Sequence, residues 1–109
     1  HGLSPRLCNQ VIDYIHTHSH QPITLSDMAA IAGISSHYFA TLFKQSIGIS
    51  PYQYVIQHRI EQAKQLLASN RLTIAEITHQ VGFHSQSHFI KVFRDRTTLT
   101  PNAYRNQFL

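Results

Sequence analysis

The chain has 109 residues, 42% hydrophobic and 13% charged, with four glycines, four prolines and the single cysteine Cys8, which excludes a disordered or low-complexity segment, an internal disulfide and a four-cysteine zinc site. No apolar run approaches the roughly 18 residues of a membrane span, and His1-Gly2-Leu3-Ser4-Pro5 lacks the basic and apolar regions of a signal peptide. Nine Lys and Arg against five Asp and Glu give +4, and all of that excess falls in residues 51–109, because Arg6 and Lys44 balance Asp13 and Asp27.

Helices are expected nearly throughout. Leu7, Val11, Tyr14, Ile15 and His18 recur at helical spacing behind Ser4 as N-cap and Pro5 at the first helical position, and Pro22 ends the segment. Thr24 precedes Leu25–Ala32, with Asp27 in the first turn, and Gly33 stops it. Ser35 or Ser36 caps a helix to about Ser46 whose apolar stripe is Phe39, Leu42 and Phe43; Gly48 closes it. From Pro51 to about Ser69 runs the longest helix, striped by Tyr52, Ile56, Ile60, Ala63 and Leu67 and spanning about 26 Å. Short helices begin at Leu72-Thr73 (Ile74, Ile77, Val81, then Gly82), at Ser85 (Phe89, Val92, Phe93) and at Thr100-Pro101 (Ala103, Tyr104). No stretch alternates at period two, so the expected fold is all-α, with about seven helices.

The chain repeats itself. Phe39–Lys44 matches Phe89–Arg94 fifty residues on, as Ser50-Pro51 matches Thr100-Pro101 and Tyr54 matches Tyr104. Upstream, Leu25, Met28, Ala32 and Gly33 match Ile74, Ile77, Val81 and Gly82 at an offset of forty-nine, so the second turn is one residue longer. Each copy has the layout of a helix-turn-helix: burial of the phenylalanine face leaves Ser36, His37, Ala40, Thr41 and Lys44 outward in the first, and Gln86, Ser87, Ile90, Lys91 and Arg94 in the second.

These residues resemble the DNA-binding domain of the AraC/XylS family of bacterial transcription regulators. The likeness is carried by Ile74-Ala75-Glu76-Ile77, Val81-Gly82-Phe83, Ser87-His88-Phe89, Val92-Phe93-Arg94, Thr100-Pro101 and Tyr104-Arg105, supported by Leu25 to Pro51 and by Arg59–Leu67 as a linker helix. The resemblance implies a first helix-turn-helix unit over residues 1–50, a linker helix over 51–69 and a second unit over 70–109. It also implies a third helix (about Ser36–Gln45) and a sixth (about Ser85–Arg96) entering successive major grooves of double-stranded DNA. Carried over by position, the base-reading candidates are Ser36, His37, Ala40, Thr41, Gln86, Ser87, His88, Ile90 and Lys91. Gln86 suits adenine and Lys91 guanine, while Ala40 and Ile90 reach only thymine methyls. Phosphate candidates are Lys44, Arg59, Arg71, Arg94 and Arg96. The family further implies contact with RNA polymerase and a separate sensing or dimerisation domain; the absence of an initiating Met makes a piece of a longer protein the expectation.

Three departures carry expectations of their own. Thr98 stands where the first unit has Gly48, so its turn is expected to be rebuilt, since a β-branched residue resists positive φ. Thr78 replaces a small alanine and is expected to loosen the second helix crossing, and the lack of Arg, Asn or Gln on the outer face of the first reading helix before Gln45 predicts weak discrimination by that half. Tyr104-Arg105 is expected to seal the last helix, with the arginine either paired or on phosphate. His16, His18 and His20 read as a solvated helix end, and the i, i+4 pair His84 and His88 as DNA-facing or surface residues rather than a zinc site. No nucleophile–base pair, carboxylate pair or complete metal set is legible, so no enzyme, cofactor or metal is expected. The rival reading is a protein-interaction module that keeps the shape without the DNA contacts.

Overall fold

Each break in the apolar pattern becomes a capped helix end. The computed structural model describes residues 2–109, and among them lie α1 (Pro5–His18), α2 (Leu25–Ala32), α3 (Ser36–Ile47), α4 (Pro51–Ser69), α5 (Ile74–Val81), α6 (Gln86–Thr97) and α7 (Pro101–Asn106), with no strand. Two reciprocal capping boxes start the short helices. Thr24 Oγ1 accepts from the Asp27 N–H while Asp27 accepts from the Thr24 N–H, both at 3.0 Å, and Thr73 with Glu76 repeats the arrangement at 3.0 and 2.9 Å. Those hydrogen bonds, to the threonine backbone first, hold both carboxyls below the usual carboxylate range. Ser35 and Ser85 cap α3 and α6 through the N–H groups of Tyr38 and His88.

The chain divides into two compact units, His1–His58 and Arg59–Leu109, and α4 contributes its first part to one and the rest to the other. In the first unit α1 packs on α2 and α2 on α3 around Leu3, Val11, Ile15, Met28, Ala29, Phe39, Phe43 and Val55. Ala29, 2% exposed, has no bulk to hold α2 and α3 apart. The leading segment is tied down as well: Leu3 is buried, and its N–H donates to Ser46 Oγ on the last turn of α3 at 2.8 Å. The second unit buries Ile60, Ala63, Leu67, Ile77, Val81, Phe83, Phe89 and Phe93. Both units close alike, with Tyr54 edge-on to Phe43 at 5.9 Å and Tyr104 edge-on to Phe93 at 5.5 Å between centroids.

Three sequence-level questions are answered by the second unit. Arg105 turns inward: its Nε donates to the Leu67 carbonyl at 3.3 Å and its Nη2 to the Leu72 carbonyl at 2.5 Å, pinning α7 to the end of α4 and the loop behind it. Thr78 is buried, and its hydroxyl is satisfied within its own helix by the Ile74 carbonyl at 2.8 Å. The turn after α6 is not rebuilt. Thr98 takes the left-handed conformation, φ 68° and ψ −3°, and caps α6 through the Arg94 carbonyl just as Gly48 (φ 95°) caps α3 through that of Lys44. The neighbouring Thr97 supports it, its Oγ1 accepting from the Leu99 N–H at 3.2 Å and donating to the Phe93 carbonyl at 2.8 Å.

Candidate nucleic-acid interface

Phe39 and Phe43 are fully buried, as are Phe89 and Phe93, and this fixes which side of α3 and α6 faces outward. On α3 the exposed residues are His37, Tyr38, Thr41, Lys44, Gln45 and Ser46. At 3.6 residues per turn, Thr41 lies at the middle of the outer strip, with His37 and Lys44 to one side and Tyr38 and Gln45 to the other. Ser36 and Ala40 are half-buried at its edge. Of the first-unit candidates the structure therefore brings His37, Thr41 and Lys44 together and leaves Ser36 and Ala40 beside the core. Tyr38, 54% exposed, was not among the sequence candidates. The signal was available: Ser36 and Ala40 each lie three residues before a core phenylalanine, on its side of the helix.

On α6 the exposed candidates are Gln86, Ser87, Lys91, Arg94 and Arg96, with Ile90 half-buried. Ser87, Ile90, Lys91, Arg94 and Asp95 line one shallow open depression. Within it Lys91 Nζ donates to Asp95 Oδ2 at 3.0 Å, an i, i+4 pair with both side chains largely exposed. An ion pair this open to water is worth about 0.3–0.5 kcal/mol, so it leaves Lys91 able to exchange partners. The side chains of Lys44, Arg71, Arg94 and Arg96 are exposed and have no hydrogen-bond or ion-pair partner among the described residues.

Two candidates are drawn inward. Arg59 is 9% exposed and its guanidinium lies over the Phe83 ring, 5.8 Å from the centroid, so burial withdraws it from the solvent-facing surface. His88 is half-buried, edge-on to Phe83 at 5.5 Å, with Nδ1 buried and without a hydrogen-bond partner. Only the remainder of that ring is open to a base. The histidines of the first unit serve packing as well: His16 stacks on His58 at 4.3 Å and its Nε2 lies 3.1 Å from the Tyr54 hydroxyl. Burial first, and the nearby His16 second, push His58 below the usual histidine range, and burial pushes the Tyr54 phenol up. No group of three metal-ligating side chains and no helix long and apolar enough to cross a membrane occurs among the described residues.

The arrangement can therefore offer an anionic, groove-shaped partner two similar helices. One is edged by a histidine, a tyrosine, hydroxyls, an amide and one lysine, the other by an amide, a hydroxyl and several cations. A family model described as a helix-turn-helix domain matches residues 28–107. The chain is 35% identical over 101 residues to a probable transcriptional regulator, LumQ, of Photobacterium leiognathi, covering 92% of this chain and 41% of that protein. It is 37% identical over 98 residues to the regulatory protein PocR of Salmonella typhimurium, covering 90% and 32%. It thus spans well under half the length of these curated relatives. Among solved structures, the C-terminal domain of AraT, a response regulator from Geobacillus stearothermophilus, superposes with a TM-score of 0.89 at 34% identity, over 96% of this chain and 87% of that one. The DNA-binding domain of AdpA, a global transcriptional factor solved in complex with a target DNA, superposes with a TM-score of 0.87 at 28% identity, over 93% and 91%.

Proposed function

The chain belongs to the AraC-type helix-turn-helix family of transcriptional regulators, and from that premise we propose that it binds double-stranded DNA sequence-specifically, reading one block of bases with α3 and another with α6 in successive major grooves. The observation that carries the reading is the repeated outward strip: two equivalent helices, each fixed by a serine cap and two buried phenylalanines, whose exposed sides bear hydrogen-bonding groups and cations, Lys44, Arg94 and Arg96 among them with no side-chain partner among the described residues. In the first unit His37 and Thr41 face bases and Lys44 meets phosphate. In the second, Gln86 and Ser87 read bases from the first turn and Lys91 from the next. Arg94 and Arg96, with Arg71 ahead of α5, neutralise backbone. Ser36, Ala40 and Ile90 border these strips and contribute shape and apolar contact, and His88 contributes its open edge.

The same reading places the work in the bacterial cytoplasm and extends to regulation, through contact with RNA polymerase and under control of a sensing or dimerisation domain in the rest of the protein. A salt titration tests the DNA reading. With Lys44, Arg71, Arg94 and Arg96 on phosphate, about four contacts give a slope of log K against log salt near −3.6. A flat response in a duplex-binding assay would move the function to a protein partner.

A further inference from the structure

Resting on that DNA reading, the geometry points to Tyr38 as a specificity-determining residue of the first unit, its ring packing on the C5-methyl group of a thymine in the major groove. Tyr38 sits in the first turn of α3, where its N–H is held by Ser35 Oγ at 3.3 Å. Its side chain is 54% exposed and makes no ring contact or hydrogen bond among the described residues. The other tyrosines divide clearly. Tyr14 stacks on His18, Tyr54 and Tyr104 lie edge-on to Phe43 and Phe93, and the exposed Tyr52 belongs to α4, off the reading helices.

The second unit sharpens the contrast. At the matching position, fifty residues on, His88 folds inward against Phe83 with its Nδ1 buried, whereas Tyr38 stays outside. The first strip has no arginine, and its only cation, Lys44, lies more than a turn further along the helix. Its other apolar reader, Ala40, is half-buried at the edge. A thymine methyl is the one base-edge feature of the major groove recognised by apolar contact, and Tyr38 is the one large apolar surface on this strip able to cover it.

The test uses the duplex selected by the wild-type domain, with each thymine of the first block replaced in turn by deoxyuridine, which removes only the methyl. Wild type and Tyr38→Phe are expected to lose about 3- to 5-fold in affinity at one such thymine, the effect of one methyl group leaving an apolar contact. Tyr38→Ala is expected to bind the unmodified duplex more weakly and to be indifferent to that replacement. A deoxyuridine penalty that persists in Tyr38→Ala, or a block in which no thymine responds, overturns the assignment. A loss in Tyr38→Phe equal to that in Tyr38→Ala also overturns it, because the hydroxyl would then be the contact. Failure of the wild-type domain to select any duplex is a different result: it removes the DNA reading and this inference with it.

Discussion

Replacing Thr98 with glycine should make the protein more stable, although glycine is the poorer residue for a folded chain. Thr98 holds φ at 68°, and its side chain is exposed and makes no hydrogen bond of its own. Only its N–H is used, on the Arg94 carbonyl. A left-handed conformation costs a β-carbon residue about 1–2 kcal/mol, while the extra freedom of glycine in the unfolded chain costs about 0.4–1 kcal/mol. The difference leaves Thr98→Gly more stable by about 0.5–1 kcal/mol, or about 3–6 °C in melting temperature for units of this size. The mirror change, Gly48→Thr at φ 95°, should cost the first unit about 0.5–1 kcal/mol net, strain less the unfolded-state freedom lost with the glycine, since a β-carbon there meets nothing within 4 Å. Thermal and urea unfolding followed by circular dichroism measures both. A Thr98→Gly protein that melts at or below wild type, beside a harmless Gly48→Thr, would refute the argument that the two turns share one conformation.

Removing the Arg105 fork with Arg105→Met should destabilise the second unit by about 2–3 kcal/mol, because the carbonyls of Leu67 and Leu72 lose charged donors; urea midpoints check it. His58 is held below its ordinary range, so the folded chain binds its proton less readily than the unfolded one. Stability should therefore be full above pH about 6.5 and fall as the pH drops below it. His58→Gln should flatten that dependence in unfolding measured from pH 7.5 to 5.5. Asp95→Asn frees Lys91 and removes a carboxylate from the strip proposed to face DNA. It should tighten binding to unrelated duplexes and steepen the salt slope by about 1, read by fluorescence anisotropy on scrambled DNA.

Helix ends were the most legible part of this fold, because each rests on a short-range rule. Ser4-Pro5, Thr24, Gly33, Gly48, Thr73, Gly82, Ser85 and Thr100-Pro101 all mark the boundaries expected of them. The fifty-residue repeat added the architecture, since Tyr54 and Tyr104 pack identically on Phe43 and Phe93. Side-chain destinations were harder to read. A lone arginine gives no local sign of whether it meets a ring, a carbonyl or solvent; Arg59 lies on Phe83 and Arg105 on two carbonyls. Thr98 misled for a related reason. Intrinsic preference argued against positive φ, but the surrounding turn, with Thr97 bridging its backbone, imposes the conformation that its sequence partner Gly48 adopts freely. The outer strips themselves were half legible: their centres, Thr41 and Lys91, were read correctly as exposed, while the edges at Ser36, Ala40 and His88 depended on a few tens of degrees of helix rotation.

Selection of a random duplex library of about 25 base pairs tests the central claim most directly, since grooves on one DNA face recur about every 34–36 Å. The wild-type domain should enrich two blocks about one helical turn apart, with Gln86→Ala relaxing preference only in one block and Thr41→Ala only in the other. One enriched block sensitive to both substitutions, or no enrichment at all, would contradict the account of two helices each reading its own groove.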